Sequence, residues 1–97
     1  MVIRVFRVQI DPEQRDAFEA GFRTTSVAAV IGQPGFIAAE IGWPTRWAPD
    51  EYIMISRWED ADSLRRFAGE NWHEAVIPKS MAQFVVDCWV HHYEGEN

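Results

Sequence analysis

Apolar residues alternate along Val2 to Ile10 (VIRVFRVQI), the period of a β-strand. One side of this strand carries Val2, Phe6, Val8 and Ile10, and the other Ile3, Val5, Arg7 and Gln9. Neither side is cleanly polar, so cover is expected on both. Asp11-Pro12-Glu13-Gln14 then reads as a helix start. Asp11 can accept from first-turn amides, Pro12 suits the first helical position, and Gln14 can reach back to the cap. Phe18, Phe22 and the small residues Gly21, Ala28 and Ala29 continue a helical stripe to about Ile31, where Gly32-Gln33-Pro34-Gly35 ends it.

A second strand is expected over Phe36 to Trp43, with Ile37, Ala39, Ile41 and Trp43 on one side and Glu40 on the other. Pro44 to Asp50 is a loop presenting Trp47, and Glu51 to Trp58 a third strand in a hairpin with the second. Asp60 or Asp62 caps a second helix that carries Leu64, Phe67 and Ala68, with Arg65 and Arg66 on its outer face. Gly69 interrupts it, a short turn holds Trp72 to Ile77, and Pro78 stops that turn. A polar connection leads to a last strand, Phe84 to Glu94, after which Gly95-Glu96-Asn97 is expected to fray.

The order β-α-β-β-α-β in one domain spanning 1–97 predicts an α+β, ferredoxin-like sandwich, an antiparallel sheet with two helices on one face. Those helices cover one side only. Yet Ile53 and Ile55 oppose Met54 and Trp58 in the third strand, and Trp89 and Tyr93 oppose Val86, Cys88 and Val90 in the fourth. An apolar sheet face of that size is larger than a monomer leaves in water. A homodimer through the sheet face is therefore expected.

Charge narrows the partners. At −6 the domain repels phosphate backbones, so no nucleic acid is expected to bind. The single cysteine, Cys88, rules out an internal disulfide and reads as a small inert core residue. No signal peptide or apolar run of membrane length is present, so no membrane partner is expected and the cytoplasm is the expected location. Five tryptophans in so short a chain need a core, an interface or a flat ligand to lie against.

Candidate chemistry is sparse. No glycine-rich phosphate loop, nucleophile elbow or flavin motif occurs. His91 and His92 point to opposite faces of a strand, and Cys88 and His92 share a face but stand about 13 Å apart at strand rise, so no metal site is expected. Trp58 is either a core ring or a pocket wall with its indole N–H aimed at a substrate oxygen. His73, beside Trp72 after the break at Gly69, is either a surface imidazole or a general base. Arg7 and Arg57 either pair with acids such as Glu40 or Asp87, or stabilise an anion in a dry pocket.

Ser56-Arg57-Trp58-Glu59 at a strand end, Leu64 and Phe67 in the next helix, Trp72-His73-Glu74-Ala75 after it, and a closing His92-Tyr93-Glu94 together resemble the antibiotic biosynthesis monooxygenase (ABM) family, over about Val2 to Glu94. The resemblance implies a dimeric α+β barrel of two facing sheets. It also implies a cofactor-independent monooxygenase oxidising an aromatic phenol, quinol or anthrone-type small molecule with O2. On that reading His73 and Trp58 are the expected catalytic residues, and Trp72, Tyr52, Phe67 and Arg57 are expected to contact the substrate. Family members that degrade haem carry a mid-helix tryptophan, a later iron-ligating histidine and a first-strand asparagine. Here Phe67 and Val76 or Ile77 stand at the first two positions and β-strand one has no asparagine, so no cofactor is expected. The alternatives are a non-catalytic dimeric domain that binds a small molecule, or a haem-degrading monooxygenase.

Overall fold

Strand β3 (Glu51–Trp58) alternates strictly between buried and half-buried residues, which fixes which way every strand faces. The computed structural model describes residues 1–96; Asn97, at the end expected to fray, lies outside them, while Gly95 is held by its amide to the Met1 carbonyl at 2.8 Å. With β1 (Val2–Ile10), β2 (Phe36–Gly42) and β4 (Val85–Glu94), β3 forms one antiparallel sheet ordered β2-β3-β1-β4. That is the ferredoxin-like α+β arrangement. A one-residue slip in either central pairing would turn the core side chains to the wrong face.

The helices lie on one face of the sheet. Asp11 caps a 3-10 turn (Pro12–Gln14) by accepting from the Glu13 amide at 3.0 Å. Gln14 contributes its backbone N–H to the Asp11 carbonyl, not the side-chain return expected of it. α1 (Arg15–Gly21) then widens into a π-helical turn (Phe22–Ser26) before α2 (Val27–Val30). Thr24 Oγ1 donates to the Ala20 carbonyl at 2.9 Å inside that stretch, a competing bond of the kind that distorts helices. Asp60, not Asp62, caps α3 (Ala61–Ala68), its Oδ1 accepting from both the amide and the hydroxyl of Ser63. Gly69, at φ 83°, ends α3 in a backbone region that glycine enters without strain.

Three further expectations change. Ile37 does not share a face with Ala39, because β2 bulges between Phe36 and Ala38 and leaves Ile37 exposed. Val86 likewise is not opposite Trp89, since a register shift between Gln9 and Ile10 sets it in a bulge. The connection before β4 is not merely polar: it contains a 3-10 helix (Lys79–Phe84) whose Met81 is buried against Gly21 of α1.

Between sheet and helices sits a core built on Val8, Ile10, Phe18, Phe22, Tyr52 and Trp58. On the other face of the sheet no helix lies among the described residues. Ile3, Val5, Ile53, Ile55 and Trp89 fall on neighbouring positions there, with Tyr93 57% exposed. Two ion pairs cross this face, Arg7 with Glu51 at 3.1 Å and Arg57 with Glu40 at 3.5 Å. The Arg7 guanidinium also covers the Trp89 ring at 5.4 Å.

Candidate functional site

A cleft opens between the sheet and the helical layer. Phe6 of β1, Phe18 of α1, Phe22 and Ser26 of the π-helical turn, and Phe67 of α3 stand in its wall, and Val76 to Pro78 border its mouth. The widened helix matters here, since it is this turn that brings Ser26 to the cleft. The cavity is small, about 40 Å3, whereas an engineered cavity that takes benzene measures about 150 Å3. A ring of that size needs the cleft to widen, and Val76 to Pro78 are the part of its lining that belongs to no helix or strand.

Most of the inner face of the sheet is apolar, and one polar row crosses it. Arg4 on β1 is in register with Ser56 on β3 and with His92 on β4, so the three side chains stand abreast. Arg4 is 4% exposed and lines the cleft. Its Nη1 donates to the Trp72 carbonyl at 2.6 Å and to His92 Nε2 at 2.9 Å, and its Nη2 to the Glu74 carbonyl at 3.0 Å. A guanidinium has only donors, so His92 Nε2 must be the acceptor and its proton sits on Nδ1. Burial pushes the His92 imidazole down to about 4, assisted by the adjacent Arg4 cation and by His91 and His73. Burial also lowers Arg4, to about 10, which leaves it charged at neutral pH. Arg4 is not among the residues singled out by sequence. Its signal was there: a charged residue at an inward position of an otherwise apolar strand face.

The residues singled out by sequence fall in several places. Phe67 is in the cleft wall. Trp58, with no exposed surface, stacks behind Phe67 at 5.1 Å and donates from Nε1 to Ser56 Oγ at 3.0 Å. Trp72 packs edge-on against the His92 ring at 4.7 Å. Tyr52 is wholly buried in the aromatic core and donates its hydroxyl to Glu19 Oε2 at 2.6 Å; burial, then that contact, push its phenol well above the usual range. The His73 side chain is 67% exposed, its Nε2 4.0 Å from Glu74 Oε1. Arg57 projects from the opposite face of the sheet in its pair with Glu40. His91 shares that outer face, and burial raises the half-buried Cys88 thiol. Among the described residues no cluster of three metal-ligating side chains forms, and no helix is long and apolar enough to cross a membrane.

The fold of this site has known counterparts. SnoaB, a cofactor-independent oxygenase from Streptomyces nogalater, superposes with a TM-score of 0.72 at 19% identity, over 99% of this chain and 93% of its own. A further antibiotic biosynthesis monooxygenase gives 0.75 at 18% identity, with both chains covered completely. The haem-degrading MhuD from Mycobacterium tuberculosis, whose structure holds two haems in its active site, gives 0.73 at 15% identity, over 98% of this chain and 95% of its own. No curated protein matches the sequence significantly. At these identities the neighbours speak for the fold alone. The sequence speaks for itself: the pattern of the antibiotic biosynthesis monooxygenases runs through residues 1–79, across β1 to β3, α3 and the segment beside Arg4, and the chain belongs to that family.

Proposed function

We propose that the chain is a cofactor-independent monooxygenase that oxidises an aromatic phenol, quinol or anthrone-type molecule with O2 in the cleft between sheet and helices. The observation that carries this reading is the cleft itself, in a chain of this family: phenylalanine walls suited to a flat ring, with the polar groups of the cleft few and set apart. An anthrone illustrates the balance. Loss of a proton from the ring CH2 gives a carbanion that reduces O2; one oxygen atom becomes the new C=O and the other leaves as water with the two hydrogens. No external reductant is needed.

His73 is the proposed base: its ring is exposed, on the Glu70–Pro78 connection whose end lines the cleft, and it has to turn inward to act, with Trp58 holding Phe67 flat behind the substrate. Trp72 flanks the polar end beside His92. Tyr52 and Arg57 act at a distance in this scheme, the first by fixing the aromatic core and the second through the sheet's outer face. That outer face is the proposed homodimer seam, because its apolar residues have no helix over them.

Haem has no part in the scheme. The cleft lining offers iron only the thioethers of Met54 and Met81, both packed in the core; of the imidazoles nearby, His92 already accepts from Arg4 and His73 is turned to solvent. A second reading, a dimeric domain that holds an aromatic molecule without turning it over, draws support from the solvent exposure of His73. An oxygen electrode separates the two. With a dihydroxynaphthalene or anthrone and no added flavin, metal or haem, uptake should exceed the uncatalysed rate, and His73→Ala should lower it by about 100-fold. Uptake no faster than without protein leaves the binding domain.

A further inference from the structure

Among the described residues, Arg4 is a buried cation without a counter-charge. Its three hydrogen bonds go to two carbonyls and a neutral imidazole, and among the described residues no carboxylate pairs with it. The chain has fifteen acidic residues and an excess of negative charge, so carboxylates are not scarce. The nearest in sequence to its partners, Glu74, turns its own carboxylate to solvent and lends only its backbone carbonyl. A buried charge without an opposite partner is unfavourable, and folded chains seldom keep one that serves nothing. Of the five N–H groups of a guanidinium, these three hydrogen bonds leave two to spare. Arg4 lines the cleft, which makes an occupant of the cleft the candidate partner for those donors.

We propose that the ligand of this cleft is a planar ring bearing a single anionic oxygen group, and that Arg4 is the residue that selects it. This rests on the reading of the cleft as a ligand site. One guanidinium between phenylalanine walls suits one negative group on an apolar frame. A multiply charged ligand such as a phosphate ester would find too few donors and a repelling field from a domain of charge −6. The groups that face Arg4 fit this role from every side. Ser56 on β3 can still donate its hydroxyl hydrogen, since its oxygen accepts from Trp58, and His92 on β4 is neutral and cannot compete as a cation. Across from them, Phe67 of α3 supplies ring surface, and His73 and Glu74 of the connection point their side chains outward. Arg4 holds the carbonyls of Trp72 and Glu74 as well, so the residue that recognises the charge also ties down the connection whose end lines the cleft.

Three small probes of one size test this without oxygen or turnover: 4-nitrophenol, 4-nitrobenzoate and the neutral 4-nitroanisole. Binding is measured anaerobically by calorimetry, and the ionisation of bound 4-nitrophenol by its phenolate absorbance with protein in excess. The wild-type protein should bind the ionised probes about 10- to 100-fold more tightly than 4-nitroanisole, the scale of a hydrogen bond to a charged group. The ionisation midpoint of 4-nitrophenol should fall by about one pH unit or more, as expected beside a cation. Arg4→Met should remove both effects and leave 4-nitroanisole binding in place, and Arg4→Lys should keep part of the preference. Should Arg4→Met fail to fold, the wild-type comparison alone decides. Tighter binding of 4-nitrobenzoate than of 4-nitrophenolate assigns the charge to a carboxylate, the reverse to a phenolate, and either upholds the pairing with Arg4. Equal binding of charged and neutral rings, with an unmoved midpoint, overturns it while leaving the cleft as a ligand site. If no ring binds at all, the proposed function falls as well.

Discussion

Ser56 and Trp58 form a pair whose removal can be worked out from the geometry. Trp58 has no exposed surface, Ser56 is 3% exposed, and the indole Nε1 donates to the serine Oγ at 3.0 Å. Ser56→Ala takes away the acceptor and strands the N–H in a closed core. A buried donor left without a partner costs about 1–3 kcal/mol, so the variant should lose that much stability. Trp58→Phe strands the hydroxyl and in addition leaves space between Phe36 and Phe67, both of which pack on the indole, so its loss should be larger. The double variant removes both polar partners. It should therefore be less damaging than the sum of the single changes, by about 0.5–1.5 kcal/mol, the net worth of one such bond. Urea unfolding followed by far-UV circular dichroism measures all four proteins on one signal that does not depend on Trp58. Protein concentration must be held fixed, because any dimer makes the midpoint depend on it. Additivity within about 0.3–0.5 kcal/mol would refute the pairing. It would also free the Ser56 oxygen to accept from a ligand in the cleft.

Other outcomes follow from the same structure. Val5 is in register with Ile55 and His91 at the middle of the uncovered sheet face, so Val5→Asp should yield a folded monomer by light scattering; a dimer of unchanged affinity would move the seam elsewhere. His92 has its folded value depressed from 6.5 to about 4, so its contribution to stability is complete above about 6.5 and is lost as pH falls toward 4. A shift of that size on a closed group would amount to about 3 kcal/mol; the ring is only partly buried, and screening brings the expectation to about 1 kcal/mol. Urea midpoints should thus fall more steeply between neutral pH and pH about 4 in the wild-type protein than in His92→Gln, and parallel curves would count against the Arg4 contact. Gly35 sits at φ 81° with its α-carbon facing the Ser63 side chain, so Gly35→Ala should destabilise by about 1–3 kcal/mol in thermal unfolding; an unchanged midpoint would show that the α3 start can yield.

Much of the architecture was legible in the chain because it is written in local periods. The alternation of β1 and β3, the Asp60 cap and the stops at Gly32 and Gly69 are decided by neighbours in sequence, and the fold order follows from them. Even the two-sided strands could be seen before any pairing was known. What sequence could not decide was register, since a single bulged residue turns a strand over. The bulges after Phe36 and beside Val86 did that to Ile37 and Val86, and the parity of β4 alone settled that His92 faces inward and His91 outward. The polar row of Ser56, Arg4 and His92 exists only through pairing, because Ser56 and His92 lie 52 and 88 positions from Arg4 along the chain and meet it across two ladders. Trp72 and His73 show the same division. Adjacent in sequence, they part in the fold: the Trp72 carbonyl is drawn in by a buried guanidinium from 68 residues away, while the His73 ring is left to solvent. Local chemistry set the elements, and long-range hydrogen bonding to one arginine decided where the Trp72–Glu74 backbone lies against the sheet.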